Sequence, residues 1–202
     1  MSKALDNYTL KNEAILAAAE ELFLSLGYEK VTMDEVAKKA GVTKQTVYRY
    51  FSSKKLLLSA LFKRDKEDEG SFEFSGGIVK SELRRYADAF VSAHMTCRRM
   101  QMYRLILCES GKHQELRDTF VSLAQSKWKR CLVSYFELRL QLSPEDSEMY
   151  ASMLHALLMH MRSSIIMGIA GIPSESEIKT QVETCVDVFC SGFFSKLKAD
   201  FD

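Results

Sequence analysis

No proline interrupts this chain before Pro144, and only Pro173 follows it. A backbone without proline keeps its amide donors, so long helices are open to it. The apolar residues fall at helical spacing. Ile15, Leu16, Ala19, Leu22, Phe23 and Leu26 share one face of a helix expected from about Leu10 to Leu26. Gly27 stops it, as a residue that tolerates a left-handed cap. The spacing predicts three further helices: one opening at Thr32, a short one from Thr43 to about Tyr50, and one starting at Ser52 or Ser53. The last of these carries Leu56, Leu57, Ala60 and Leu61. Later helices are expected over Ile78–Thr96, Met100–Ser110, Gln114–Leu140, Glu145–Ala170 and Glu175–Ala199. No stretch reads as a strand, so the expected class is all-α with about nine helices.

The stretch from Gly70 to Gly77, GSFEFSGG, breaks this pattern with three glycines and two serines. It reads as a joint between a small domain at 1–66 and a larger one at 67–202. With 47% hydrophobic residues in 202, both have material for a core. The charges divide the same way. Residues 1–66 hold twelve Lys or Arg against eight Asp or Glu, whereas the rest hold sixteen against nineteen. A basic end on a mildly acidic body suits docking on phosphates.

Within the basic end, Thr32 to Phe51 reads TMDEVAKKAGVTKQTVYRYF. Thr32 and Glu35 have the spacing of a capping box. Gly41 breaks the first helix, and Thr43 caps the next. This is a helix-turn-helix pattern, and the small domain is expected as a three-helix unit built on it. Thr43, Lys44, Gln45 and Thr46 occupy the first turn of the second helix, where side chains reach base edges. Lys44 and Gln45 are the expected base readers. Thr32, Tyr48, Tyr50 and Lys54 are expected on phosphates, with Lys55 adding charge.

At these residues the chain resembles the TetR family of bacterial regulators. The resemblance runs from about Lys11 to Leu61. It rests on Ala18 to Phe23, on Gly27 and Tyr28, on Thr32, Val36, Ala37 and Ala40 to Val42, and on Val47 to Phe51 with Lys54, Leu56 and Leu57. Tyr50 departs from the pattern, since histidine is frequent there; an aromatic donor is kept. Past Gly77 the likeness is looser, carried by Leu105 to Ser110 with Glu115 and Leu116. The resemblance implies an all-helical homodimer, one helix-turn-helix per subunit, and a variable C-terminal domain that binds an effector.

The larger domain offers candidates for both roles. Phe90, His94, Arg98, Tyr103, Phe120, Trp128 and Tyr135 are expected around a mostly apolar effector pocket. Tyr150, Met153, Leu157 and Met161 on one helix, with Val182, Val186, Phe189 and Phe193 on the last, are expected to form the dimer interface. The competing reading is that both faces serve the subunit's own core. A two-fold dimer implies a palindromic operator of double-stranded DNA. The expected function is a repressor released by a small, largely apolar effector. The alternative is a TetR-like DNA-binding protein without an effector.

Other classes find little support. GxSxG, HExxH, P-loop and GxGxxG motifs do not occur, so an enzyme is not expected. The four histidines have no metal-ligand spacing, and no metal or cofactor is expected. Five cysteines without CxxC spacing suit reduced thiols. MSKALDNYTLKNE has no apolar signal core and no apolar run reaches membrane-spanning length, so a cytoplasmic protein is expected.

Overall fold

The computed structural model describes residues 3–67, 70–112 and 126–193, with side chains at 7–64, 70–109, 111–112 and 126–192. Among these the chain is helical without strands: α1 (Lys3–Leu26), α2 (Met33–Lys39), α3 (Lys44–Tyr50), α4 (Lys54–Glu67), α5 (Val79–His94), α6 (Cys97–Ser110), α7 (Lys127–Leu140), α8 (Pro144–Leu158), α9 (Arg162–Ile166) and α10 (Glu175–Phe193). His113 and Phe120 lie outside the described residues, as does the side chain of Phe193.

The chain divides into two compact units. The first holds α1–α4 and α6 from Gln101 onward. Its core joins Ile15, Ala19 and Phe23 of α1, Val36 of α2, Val47 of α3, and Leu57, Leu58, Leu61 and Phe62 of α4. Met102, Leu105 and Ile106 of α6 complete it, although a boundary at 66/67 assigns them to the other domain. Local signals set the helix ends. Gly27 takes φ 84° and donates its amide to the Phe23 carbonyl at 3.0 Å. Gly41 takes φ 66°, donating to Lys38, while Val42 donates to Ala37. This paired arrangement satisfies the last carbonyls of α2 and sets the turn into α3.

The second unit holds α5, α7–α10 and the segment before α5. Its core includes Leu83, Ala87 and Val91 of α5, Leu132 and Phe136 of α7, and Ala151, Leu154 and Leu158 of α8. Val182, Val186 and Phe189 of α10 are each 0% exposed within the single chain. They therefore cannot face a partner, and the expected interface is corrected at these three positions.

Two expected helices are shorter than their periodicity suggests. The one expected over Gln114–Leu140 is broken at Ser126, which has extended backbone and caps α7 by accepting from the Lys129 amide at 3.1 Å; residues 114–125 lie outside the described residues. The helix expected over Glu145–Ala170 ends at Leu158, and α9 follows after a turn. No glycine or proline marks that break. Tertiary contacts do: Gln181 Nε2 donates to the Leu158 carbonyl at 2.8 Å, and Cys185 Sγ to that of Leu157 at 3.4 Å. Side chains of α10 thus take carbonyls that a continuing helix would have used.

Inside the second unit, Tyr86, Phe90, His94, Trp128 and His155 pack ring against ring. Phe90 stacks on His155 with centroids 4.1 Å apart and lies 4.3 Å from His94. The Tyr86 hydroxyl lies 2.9 Å from the Trp128 carbonyl and 2.6 Å from His155 Nε2. With one proton to give, Tyr86 donates to the carbonyl and accepts from the imidazole N–H. Burial first, then the charges of His94, Lys129 and Arg162, lowers the His155 pKa from 6.5 to about 3. The unfolded chain therefore binds this proton first. The stability His155 confers is complete above pH 6.5 and declines as pH falls toward 3, at about 1.4 kcal/mol per pH unit. Urea unfolding at pH 7 and pH 5 should show a loss of about 2 kcal/mol from this residue. His155→Gln should lessen the difference; an unchanged pH dependence would count against a neutral, enclosed imidazole.

Candidate nucleic-acid interface

Thr32 caps α2. Its Oγ1 accepts from the Glu35 amide at 3.2 Å, while the Glu35 carboxylate receives the Thr32 amide at 2.7 Å and its hydroxyl at 2.8 Å. Those bonds hold the Glu35 carboxyl below its ordinary range. The Thr32 hydroxyl proton is thus committed within the capping box. Thr43 caps α3, accepting from the Thr46 amide at 3.2 Å, with the two hydroxyls 2.8 Å apart.

α3 buries only Val47. Its first turn leaves Thr43, Lys44 and Gln45 exposed, and Tyr48 and Arg49 are exposed further on. Lys44 Nζ lies 2.8 Å from Asp34 of α2 and 6.0 Å from the Tyr48 ring centre. The hydrogen bond and charge of Asp34 raise the Lys44 pKa. Both partners are open to solvent, so the pair is weak and Lys44 can exchange Asp34 for another acceptor. Tyr50 is half-buried. Its ring stacks on Tyr8 at 4.5 Å and its hydroxyl donates to the Tyr8 carbonyl at 3.3 Å. Arg49 lies 5.6 Å over the other ring of this pair, that of Tyr50.

Lys54 opens α4 and points inward. Its ammonium donates to the carbonyls of Tyr28, Val31 and Glu29 at 2.8, 3.0 and 3.2 Å, and lies 4.4 Å from the Tyr28 ring centre. All three protons are used, so Lys54 pins the loop after α1 to the start of α4. Lys112 braces that loop through Glu29 at 3.0 Å. Sequence reasoning missed Tyr8 altogether, because α1 was expected to start after it.

The structure brings three effector candidates together and buries a fourth, Tyr135, against Phe74 and Phe136 instead. Phe90, His94, Trp128 and Tyr135 are buried in the second unit, where the first three fill one another's surroundings. Arg98 is exposed, and Tyr103 belongs to the first unit. Of the interface candidates, Tyr150, Met153, Leu157 and Met161 are half-buried.

Two family matches bear on this arrangement. Residues 15–61 match the bacterial regulatory proteins of the tetR family, and residues 81–193 match the C-terminal domain of AefR-like transcriptional repressors. The chain belongs to the TetR family. TetC of transposon Tn10 from Escherichia coli is 39% identical over 59 residues, covering 29% of this chain and 30% of that protein. The transcriptional activator FasR of Mycolicibacterium smegmatis is 46% identical over 50 residues, covering 25% and 23%. These matches span less than a third of either relative's length. A TetR regulator from Agrobacterium tumefaciens shares the fold with a TM-score of 0.76 at 17% identity, covering 90% of this chain and 92% of that one. The flavonoid-responsive regulator FrrA superposes with a TM-score of 0.72 at 25% identity, covering 90% and 95%. As a TetR-family protein the chain is a transcriptional regulator with a DNA-binding helix-turn-helix, not an enzyme. Among the described residues no helix is long and apolar enough to cross a membrane.

Proposed function

We propose that the chain acts in the cytoplasm as a homodimeric repressor on a palindromic operator, released by a small, largely apolar effector. The observation that carries this reading is the first turn of α3, capped by Thr43 and open at Thr43, Lys44 and Gln45. Residues 1–66 dock on the DNA. Lys44 and Gln45 read bases in the major groove, with Thr43 and Thr46 beside them. Tyr48 faces phosphates, whereas Thr32, Tyr50 and Lys54, whose donors are engaged by Glu35, by Tyr8 and by the loop after α1, position the elements that meet them. Residues 67–202 dimerise and bind the effector. Tyr150, Met153, Leu157 and Met161 form the dimer face with Val188, an apolar residue 54% exposed on α10. The likeness to a flavonoid-responsive regulator supports an effector.

The test is footprinting in the source cell, with a reporter fused to a promoter that the chain covers. Deleting the gene should raise reporter output, and a fall would make the chain an activator.

A further inference from the structure

We propose that Phe74, in the segment between α4 and α5, is a built-in stand-in for the effector, and that the effector is a planar aromatic anion that displaces it from Tyr135. The proposal rests on the effector-release reading above and gives it a site and a ligand class.

Residues 70–77 form a strap without regular structure, and Gly70 and Gly76 in it have φ of 76° and 81°. Rings and one carboxylate hold it down. Phe74 lies parallel on Tyr135, with centroids 3.9 Å apart and planes 11° from parallel, and stacks on Tyr86 at 5.5 Å. Phe72 meets Tyr86 edge-on at 5.4 Å. The Ser75 amide and hydroxyl each donate to the buried Glu82 carboxylate at 2.7 Å. Burial pushes the Glu82 pKa up, but the bonds from Ser75 and Arg85 outweigh it and leave it lowered. Glu82 is therefore a charged anchor for the strap.

Beside Phe74 an open groove of about 520 Å³ runs along α7, lined by Gly76, Ser134, Tyr135, Leu138 and Arg139. That volume suits a small organic ligand. Tyr135 is 7% exposed, and its hydroxyl has no hydrogen-bond partner among the described residues. Burial and then the charge of Glu82 raise the Tyr135 pKa, against the lesser opposing effect of Arg139, one helical turn on and exposed, so the hydroxyl keeps its proton to donate. A flat face, a spare hydroxyl and a guanidinium together match an aromatic ring bearing an anionic oxygen. Phe74 satisfies the face alone. A ligand of this class satisfies the face and both polar groups, so it displaces the phenyl ring. Phe74 then acts as an intramolecular competitor that lowers apparent ligand affinity. Because residues 70–77 are the chain connection from α4 to α5, freeing them alters the link between the two domains.

Trp128, the only tryptophan, has its ring centre 6.2 Å from that of Phe72 and reports on the site. Its fluorescence is followed in the full chain during titration with trans-cinnamate. Phe74→Ala should bind cinnamate about tenfold more tightly than the unsubstituted chain. Gly76→Ala strains a left-handed residue without touching the ring, and should shift affinity in the same direction. Adding Arg139→Gln to Phe74→Ala should weaken cinnamate about tenfold and leave neutral cinnamyl alcohol unchanged. If neither strap variant binds cinnamate more tightly, the proposal is overturned. An Arg139→Gln effect equal for acid and alcohol would overturn the anion assignment. Operator binding is measured separately. Release by an unrelated compound, with cinnamate affinity unaffected by the strap variants, would sink the site and leave the repressor reading standing. Cinnamate binding that follows the strap variants, in a chain with no operator, would do the reverse.

Discussion

Replacing Lys44 and Gln45 together by alanine is expected to erase operator preference while leaving the fold intact. Both side chains are exposed on the first turn of α3, which is anchored by Val47 and capped by Thr43. Alanine keeps the helix, and neither residue contributes to the core of the first unit. A good base contact is worth about 1–3 kcal/mol of discrimination. Losing two should lower the ratio of operator to random-DNA affinity at least about thirtyfold. Binding to random DNA should fall much less, because phosphate contacts supply it. Fluorescence anisotropy with both duplexes at one salt concentration measures the ratio. An unchanged ratio would remove α3 from the base-reading role.

Phe189→Ala is expected to destabilise the second unit by about 3–5 kcal/mol rather than yield a folded monomer. Its side chain is 0% exposed, lies 6.3 Å from Phe136 in a stacked arrangement and meets Tyr150 edge-on. Deleting it opens a cavity among α7, α8 and α10. The neighbouring Val188 makes the contrast. In the proposed dimer, Val188→Asp should leave the melting of the isolated chain nearly unchanged and shift sedimentation to the monomer. A Phe189→Ala chain as stable as the original would contradict the burial. A Val188→Asp chain that still sediments as a dimer would move the interface elsewhere.

These two residues show where sequence reading stops. The period of α10 marks an apolar face, but period alone cannot say whether a neighbouring helix or a second copy covers it. Helix ends were legible where the signal is local: Thr32 with Glu35, Thr43, Gly27 and Gly41 act within a few residues of themselves. The break after Leu158 was not legible, because its cause is Gln181 and Cys185, more than twenty positions away. Lys54 read as free charge for the same reason, since its three acceptors lie on an earlier loop. The segment 70–77 read as a polar joint from its glycines and serines. Phe72 and Phe74 within it are packing residues, and only the positions of Tyr86 and Tyr135 reveal that.

Selection of bound duplexes from a random-sequence pool by the unsubstituted chain tests the reading of a palindromic operator by α3. Sequencing should return an inverted repeat with two half-sites about one helical turn apart, the geometry of a two-fold dimer presenting α3 twice. The Lys44→Ala, Gln45→Ala chain should enrich no such repeat. A pool that stays random with the unsubstituted chain, or one enriched for a single unrepeated site, would contradict it.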